Sequence, residues 1–349
     1  MNDRHFIPKA RPQAVSLQQW PLGTKPLVSI WCATHNHDAF LGQALDSFLM
    51  QETTFPVEII VHDDASTDRT QEIIQHYQNK HPRVIVTMIQ PTNILGSGIV
   101  SNLHSIFSEK SLGDYVAYCD GDDFWTAKDK LQTQVDVMES SPDVSLTYHQ
   151  VHIAHGQNPV PSSDFFPPSI LAEPKTEELL SINFIPTCSV LLRSNAHHNL
   201  SETSSRIELG DWSSWIMASL KGRILGLSGI MSCYRQHAGG IWHGATPTKQ
   251  RWVLYQFWVG MLEVMPERFH PQISENILTI ISKGAAKKDP QFCLAKRTLH
   301  LIKLSYFVFR NDPTQFKRWA SELTKAWLGP EITQRIYGMA RIARKNSPT

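Results

Sequence analysis

Cysteine is scarce and poorly placed for pairing. The chain holds five, Cys32, Cys119, Cys188, Cys233 and Cys293, far apart and odd in number. The absence of any CxxC pair argues against a zinc ribbon or a disulfide framework, and reduced thiols in a cytoplasmic protein are expected. Long hydrophobic runs are lacking as well, with nothing near the roughly 18 apolar residues of a spanning helix. The nearest stretch, Leu299 to Phe309, is short and interrupted by Lys303. Charge of one sign is not in excess: 33 Lys+Arg against 32 Asp+Glu leave a net charge of +1. Bulk charge therefore does not mark a nucleic-acid surface, and no nucleic-acid partner is expected. The first 25 residues are polar and contain no apolar core of a secretory signal. Neither an internal repeat nor a low-complexity segment is visible.

With 41% hydrophobic and 19% charged residues over 349 positions, the composition is that of a globular protein. Its length allows one large core plus a smaller appendage. The most informative stretch runs from Gly113 to Trp125. An apolar run reads as a buried strand and ends abruptly in Asp120, Asp122 and Asp123 around Gly121. Carboxylates so close repel one another unless a positive group lies between them. A hard divalent cation, Mg²⁺ or Mn²⁺, suits their oxygens and commonly bridges to phosphate. Gly121 allows the sharp turn that would bring Asp120 and Asp122 near one ion. The alternative is an acidic turn with Asp123 capping a following helix.

Around this stretch strands alternate with helices. Strand-like runs cover 27–34, 57–62, 84–89 and 144–151, and helical spacing covers 40–50, 99–108 and 128–140. Asp68 with Gln71 three residues on resembles a capping box for a further helix. Arg223 to Tyr234 reads as two short strands broken at Ser228-Gly229. This alternation predicts an α/β domain with a mixed, mostly parallel sheet and helices on both faces. Asn36, Asp63 and Asp120 to Asp123 all fall just past strand ends, where ligands gather in such sheets. The division expected is an irregular leader (1–25), a domain over 26–245 and a C-terminal helical region (246–349). His35 and His37 alternate in a turn with no third ligand following, so zinc is not expected there.

Six pieces, in order and spacing, resemble family 2 glycosyltransferases, which have the GT-A fold. They are Thr34-His35-Asn36; Ala44-Leu45-Asp46-Ser47 with Gln51; Asp63-Asp64-Ala65-Ser66-Thr67-Asp68; Asp120-Gly121-Asp122-Asp123; Gly210-Asp211-Trp212; and Tyr234-Arg235-Gln236-His237-Ala238-Gly239-Gly240. The resemblance implies inverting transfer of a sugar from a nucleotide-diphosphate donor, UDP- or dTDP-linked, to an acceptor hydroxyl on a glycan, lipid-linked or other molecule. It implies a nucleotide-sugar half at about 26–150, an acceptor half at about 151–245, and a setting in surface polysaccharide biosynthesis. Thr34, Asn36, Asp63 and Asp120 would contact the nucleotide, with capping as the alternative for Asp63 and Asp64. Asp122 and His237 would hold the metal, and Arg235 would contact the diphosphate. Asp211 would be the general base, with helix capping as its other reading. The family often has two acids at that motif, whereas Gly210 precedes Asp211 here and Glu208 is the substitute base. Trp212 and Trp215 are expected in the core.

Two other functions compete. A catalytically inactive nucleotide-sugar-binding module or assembly partner would keep the fold without turnover. A nucleotidyltransferase would release pyrophosphate, but no Gly-rich, Lys/Arg-bearing loop follows the first strand. Arg335, Arg341, Arg344 and Lys345 make the last helix basic, so a peripheral contact at the inner face of the membrane stands beside an ordinary solvated face.

Overall fold

A computed structural model describes residues 11–94, 102–158, 160–196, 209–240, 242 and 244–286. The chain divides into two compact units, Met1–Gly244 and Ala245–Thr349. The first contains strands β1 (Gln13–Ala14), β2 (Val28–Thr34), β3 (Glu52–Thr53), β4 (Val57–Asp63), β5 (Ile85–Ile89), β6 (Tyr115–Tyr118), β7 (Phe124–Trp125), β8 (Val144–His155), β9 (Phe165–Phe166), β10 (Leu191–Arg193) and β11 (Arg223–Gln236).

The main sheet has the order β5-β4-β2-β6-β10-β8-β11-β7, with β9 added on β8. Strands β5, β4, β2 and β6 are mutually parallel. Strand β10 runs antiparallel to both β6 and β8, and β11 runs parallel to β8. Six strands (β5, β4, β2, β6, β8, β11) therefore point one way, and their carboxyl ends share one edge of the sheet. Strands β2 and β4 lie inside this sheet, which explains their nearly continuous apolar sequence. Val28, Ile30 and Cys32 of β2 join Ile59 and Val61 of β4 and Ala117 of β6 in one buried cluster. The helix Leu41–Leu49 adds Leu41, Ala44, Leu45 and Phe48, spaced to fall on one face.

Three local expectations change. Within the stretch read as an irregular leader, β1 pairs antiparallel with β3, and Val15 is fully buried as part of the main hydrophobic cluster. The break at Ser228-Gly229 is an irregularity within one long strand. The register against β8 shifts between Leu227 and Ile230, with Gly229 at φ 103°, and pairing resumes on both sides. The Asp68–Gln71 capping box does not form. Asp68 accepts from the Thr70 amide at 2.9 Å, while the Gln71 side chain donates to Asp63 at 2.8 Å.

One buried charge is notable in this core. Lys130 is fully buried, with Nζ 2.7 Å from Gln134 Oε1 and 4.3 Å from the centroid of the Trp125 ring. Burial pushes its pKa down to about 7, against a smaller opposing effect of Cys119 and Cys188. Because the folded value lies below the unfolded one, Lys130 costs stability at low pH, and the cost fades as pH rises above 7. Lys130→Met is therefore expected to melt higher than wild type near pH 7, with the gap smaller by about 2 kcal/mol at pH 9. Thermal melts across this range give the test, and a gap independent of pH would contradict a depressed lysine.

The second unit contains the helices Pro247–Val264 and His270–Ala286, which pack against each other. The Thr246 hydroxyl accepts from the Lys249 amide at 3.3 Å and Pro247 opens the first helix, a favourable start. Buried Phe257, Trp258 and Met261 on one helix and Ile273, Ile277 and Ile281 on the other supply the apolar faces. Among the described residues no helix is long and apolar enough to cross a membrane. Cys293, Leu299 to Phe309 and the basic residues Arg335, Arg341, Arg344 and Lys345 lie outside the described residues.

Candidate active site

Four strand ends meet at the carboxyl edge of the sheet, those of β2, β4, β6 and β11. The loop after β2 is stitched to the loop after β4. Asn36 takes a left-handed φ of 56°, which asparagine tolerates well. Its amide donates to Ser66 Oγ at 2.8 Å, and its Oδ1 accepts from the Thr67 amide at 2.8 Å. His35 Nδ1 lies 2.8 Å from the Asp64 carbonyl. Fully buried Asp63 accepts from the Ser66 amide and hydroxyl and from Gln71 Nε2. Asp64 accepts from the Ile94 amide at 2.7 Å. Asp63 thus makes the capping-type contacts of an Asx turn, and Asp64 ties down the backbone at Ile94. Thr34 is only 2% exposed. Of the residues assigned to the nucleotide, Asn36 is exposed and Asp120 partly so, while Thr34 and Asp63 shape the loops behind them.

Gly121 is required by close approach. Its amide donates to the Ala33 carbonyl at 2.8 Å, and an added Cβ would lie 2.8 Å from Thr34 Oγ1 and 2.9 Å from Thr34 Cβ. Gly121→Ala must push β2 and the acidic loop apart. It is expected to cost about 1–3 kcal/mol and, by displacing Asp122, to reduce donor binding at least tenfold. Chemical denaturation and donor titration measure the two effects, and unchanged values would show that the turn yields freely.

Past Gly121 the three carboxylates separate in role. Asp122 Oδ2 lies 3.0 Å from His237 Nε2 and 3.7 Å from His37 Nε2. Burial raises the Asp122 carboxyl, but the His237 hydrogen bond and both imidazoles outweigh it and hold it below its ordinary value. Asp120 goes the other way, pushed up by burial first and then by Asp122 and Asp211. Burial also lowers the His37 pKa, which favours a neutral imidazole with a lone pair to offer. Asp123 is 3% exposed and accepts from the Arg235 amide at 2.7 Å, so it supports the loop. His37, Asp122 and His237 place three ligand atoms within 4.8 Å of one another. A carboxylate beside imidazoles is a suitable donor set for a divalent cation.

Arg235 does not present a free fork to a diphosphate. Its Nε donates to the Asp122 carbonyl at 2.8 Å, Nη1 to the carbonyls of Gly156 and Asn158, and Nη2 to Gln43 Oε1. Its guanidinium carbon also sits 4.8 Å from the Phe40 ring centroid and 5.3 Å from that of Phe124. The residue is 3% exposed, and what it holds is the backbone of the acidic loop.

Asp211 lies in the first turn of the helix Gly210–Ser219 and is not its cap, which falls at Leu209. Its Oδ1 accepts from the Trp212 amide at 2.7 Å and its Oδ2 from Thr187 Oγ1 at 3.1 Å. Burial raises its pKa against these hydrogen bonds. Trp212 and Trp215 are in the core, the former donating to the Leu179 carbonyl at 2.8 Å. The glycine before Asp211 has a steric reason, since a Cβ on Gly210 would meet His104 Cε1 at 2.6 Å. Glu208 lies outside the described residues. The contributions of His37, Gln43, Thr187 and His104 were missed by sequence reasoning. Only His37 carried a signal, in its alternation with His35.

The sequence model described as Glycosyl transferase family 2 matches residues 29–200. An uncharacterised protein of Mycobacterium tuberculosis is 34% identical over 224 residues, covering 64% of this chain and 63% of that protein, so the match spans less than two thirds of the relative. The Bacillus subtilis glycosyltransferase TuaG, named for teichuronic acid biosynthesis, is 33% identical over 133 residues, 38% of this chain and 50% of TuaG. The crystal structure of S. aureus TarS 1-349 in complex with UDP-GlcNAc has a TM-score of 0.54 at 18% identity, over 85% of this chain and 80% of that chain. The likeness to TarS shows the fold, a GT-A arrangement. Residues 29–200, just under half of the chain, match glycosyl transferase family 2 on this fold.

Proposed function

We propose that the chain transfers a sugar from a nucleotide-diphosphate donor, a UDP- or dTDP-sugar, to a hydroxyl of a glycan or lipid-linked acceptor, with inversion. Its setting would be surface polysaccharide synthesis, as the name of TuaG suggests for that relative. The observation that carries the reading is a pair of unlike carboxylates, Asp122 and Asp211, both close enough to Asp120 to act on its charge. Asp122 is kept ionised beside His237, while Asp211 is raised by burial and lies near enough to Asp120 to raise it in turn.

Asp122 and His237 would hold a divalent cation, whose charge when bound stabilises a departing diphosphate. Asn36 and Asp120 would contact the nucleoside, on loops fixed by Thr34 and Asp63. Arg235 would position the Asp122 backbone. Asp211, oriented by Thr187 and the Trp212 amide, would accept the acceptor's hydroxyl proton as the acceptor oxygen bonds to the anomeric carbon. The bond from that carbon to the diphosphate oxygen breaks, and its electron pair leaves with the nucleoside diphosphate. Attack opposite the leaving group inverts the centre. The nucleotide-sugar half at 26–150 and the acceptor half at 151–245 supply the two sides.

The test is release of nucleoside diphosphate from a panel of sugar nucleotides with candidate acceptors and Mn²⁺ or Mg²⁺. Donor-dependent release supports the transferase. Donor binding without release across the panel would favour an inactive binding module, and pyrophosphate release from a nucleoside triphosphate would favour a nucleotidyltransferase.

A further inference from the structure

We infer that His37 is a third protein ligand beside Asp122 and His237, and that this His–Asp–His set takes Mn²⁺ or another borderline first-row cation in preference to Mg²⁺. The inference rests on the metal-assisted reading above and sharpens it, from an ion of either kind to one selected by two imidazoles.

The three side chains come from three strand ends, after β2, β6 and β11. His237 Nε2 is at hydrogen-bond distance from Asp122 Oδ2, 3.0 Å. His37 Nε2 approaches the same oxygen only to 3.7 Å, too far for a hydrogen bond. Ligand atoms each about 2.1 Å from a cation lie about 3.0 Å apart at a right angle and about 3.4 Å apart at a tetrahedral one. The 3.0 Å spacing matches the right-angle value and is also a hydrogen-bond distance, while the 3.7 Å spacing exceeds the tetrahedral value, so His37 must move inward by a few tenths of an ångström to share an ion with the other two. His37 Nδ1 is buried with no hydrogen-bond partner, so the ring's polar approach is at Nε2, toward the carboxylate. The ring is not loose. Its backbone amide donates to Thr70 Oγ1 at 2.9 Å, and Phe40 lies against both imidazoles, with ring centroids 6.2 Å from His37 and 4.8 Å from His237.

The ligand types set the preference. Mg²⁺ favours oxygen and gives up water reluctantly, so a set with two nitrogens among three protein ligands suits it poorly. Imidazole suits first-row transition ions, and affinity rises along that series toward copper. Each neutral nitrogen added to a lone carboxylate should therefore raise Mn²⁺ and Co²⁺ affinity while doing little for Mg²⁺. This also answers how a pair of alternating histidines can matter in a turn that offers no third ligand of its own. The missing ligands arrive from loops distant in sequence.

Isothermal titration of the full chain with Mn²⁺, Co²⁺ and Mg²⁺, without nucleotide, tests the preference. Mn²⁺ and Co²⁺ are expected to bind at least tenfold more tightly than Mg²⁺. His37→Asn should weaken both by about tenfold or more and leave Mg²⁺ within about twofold. Pulsed electron paramagnetic resonance of bound Mn²⁺ should detect coupling to two imidazole nitrogens in the wild type and to one in His37→Asn. His37→Gln provides a second variant if His37→Asn melts early in metal-free buffer. Equal Mg²⁺ and Mn²⁺ affinity would overturn the preference. Unchanged affinities and nitrogen coupling in a folded His37 variant would overturn the third ligand. Asp122→Asn separates the two levels. Loss of all metal binding in Asp122→Asn with none lost on changing His37 rejects only the present inference. Full retention in Asp122→Asn rejects the metal-assisted reading itself.

Discussion

Asp211→Asn is expected to lower kcat by about 10²- to 10⁴-fold, the usual contribution of a positioned general base, with donor affinity within about twofold of wild type. The amide keeps the size of the side chain, and its oxygen can still accept from Thr187 Oγ1 or from the Trp212 amide, both of which hold the carboxylate now. It cannot take the acceptor's proton. The pH profile carries a second signature. Burial raises the Asp211 pKa, so the base is still protonated at the pH where an ordinary carboxyl has ionised. The rate should climb with pH through a value above the usual carboxylate range, and the residual rate of Asp211→Asn should lack that limb. The variant is relieved of a buried carboxylate but leaves one of the two donors without its acceptor, so the opposing effects should keep its melting temperature close to that of wild type. Unchanged kcat in the variant would place the base elsewhere, with Glu208 the next candidate.

Loss of metal-dependent donor binding is the expected result for Asp122→Asn. In wild type, a nucleoside diphosphate with Mn²⁺ at a hundredfold excess over its Kd should raise stability by about 2.7 kcal/mol. The variant should show no metal-dependent part of that shift, and turnover should fall by about 10³-fold, the order lost when a charge-stabilising group is removed. The reason is local. Asp122 is the one carboxylate here held below its ordinary value and flanked by both imidazoles, so its negative charge is present at neutral pH. Asp120 and Asp123 are both pushed up and cannot take over. Thermal melts with each nucleotide, with and without Mn²⁺, separate this from a folding defect. An equal metal-dependent shift in wild type and variant would remove Asp122 from the site.

Asp211 and Asp122 were legible as candidates because each stands in a short motif next to an element boundary, and boundaries are local properties of a chain. Arg235 shows the opposite case. Its place in Tyr234-Arg235-Gln236-His237 suggests a phosphate contact, yet Gln43 Oε1, 192 positions away, and the carbonyls of Asp122, Gly156 and Asn158 engage the guanidinium. A motif reports that a cation is wanted near the acidic loop. It does not report whether that cation faces inward to the backbone or outward to a ligand, since this depends on which carbonyls the fold leaves unpaired around it. Asp63 is a similar case: its carboxylate, on the last residue of a strand whose end faces the ligand edge, is taken up by Ser66 and Gln71.

By itself the sequence determined the α/β class, the strands β2, β4 and β6, and the acidic turn after Asp120. Buried strands need uninterrupted apolar runs, and an aspartate cluster with glycine stops such a run wherever it stands. Only the tertiary structure decided that β11 continues through its glycine, that Gly210 makes room for His104, and that His37 meets Asp122 and His237. The last two of these three residues lie 115 positions apart, and their spacing is set by how strand ends align across the sheet. Side-chain periodicity dictates which face of an element is buried. The neighbour that a strand's end will have is decided by sheet order, which arises from the packing of the whole domain.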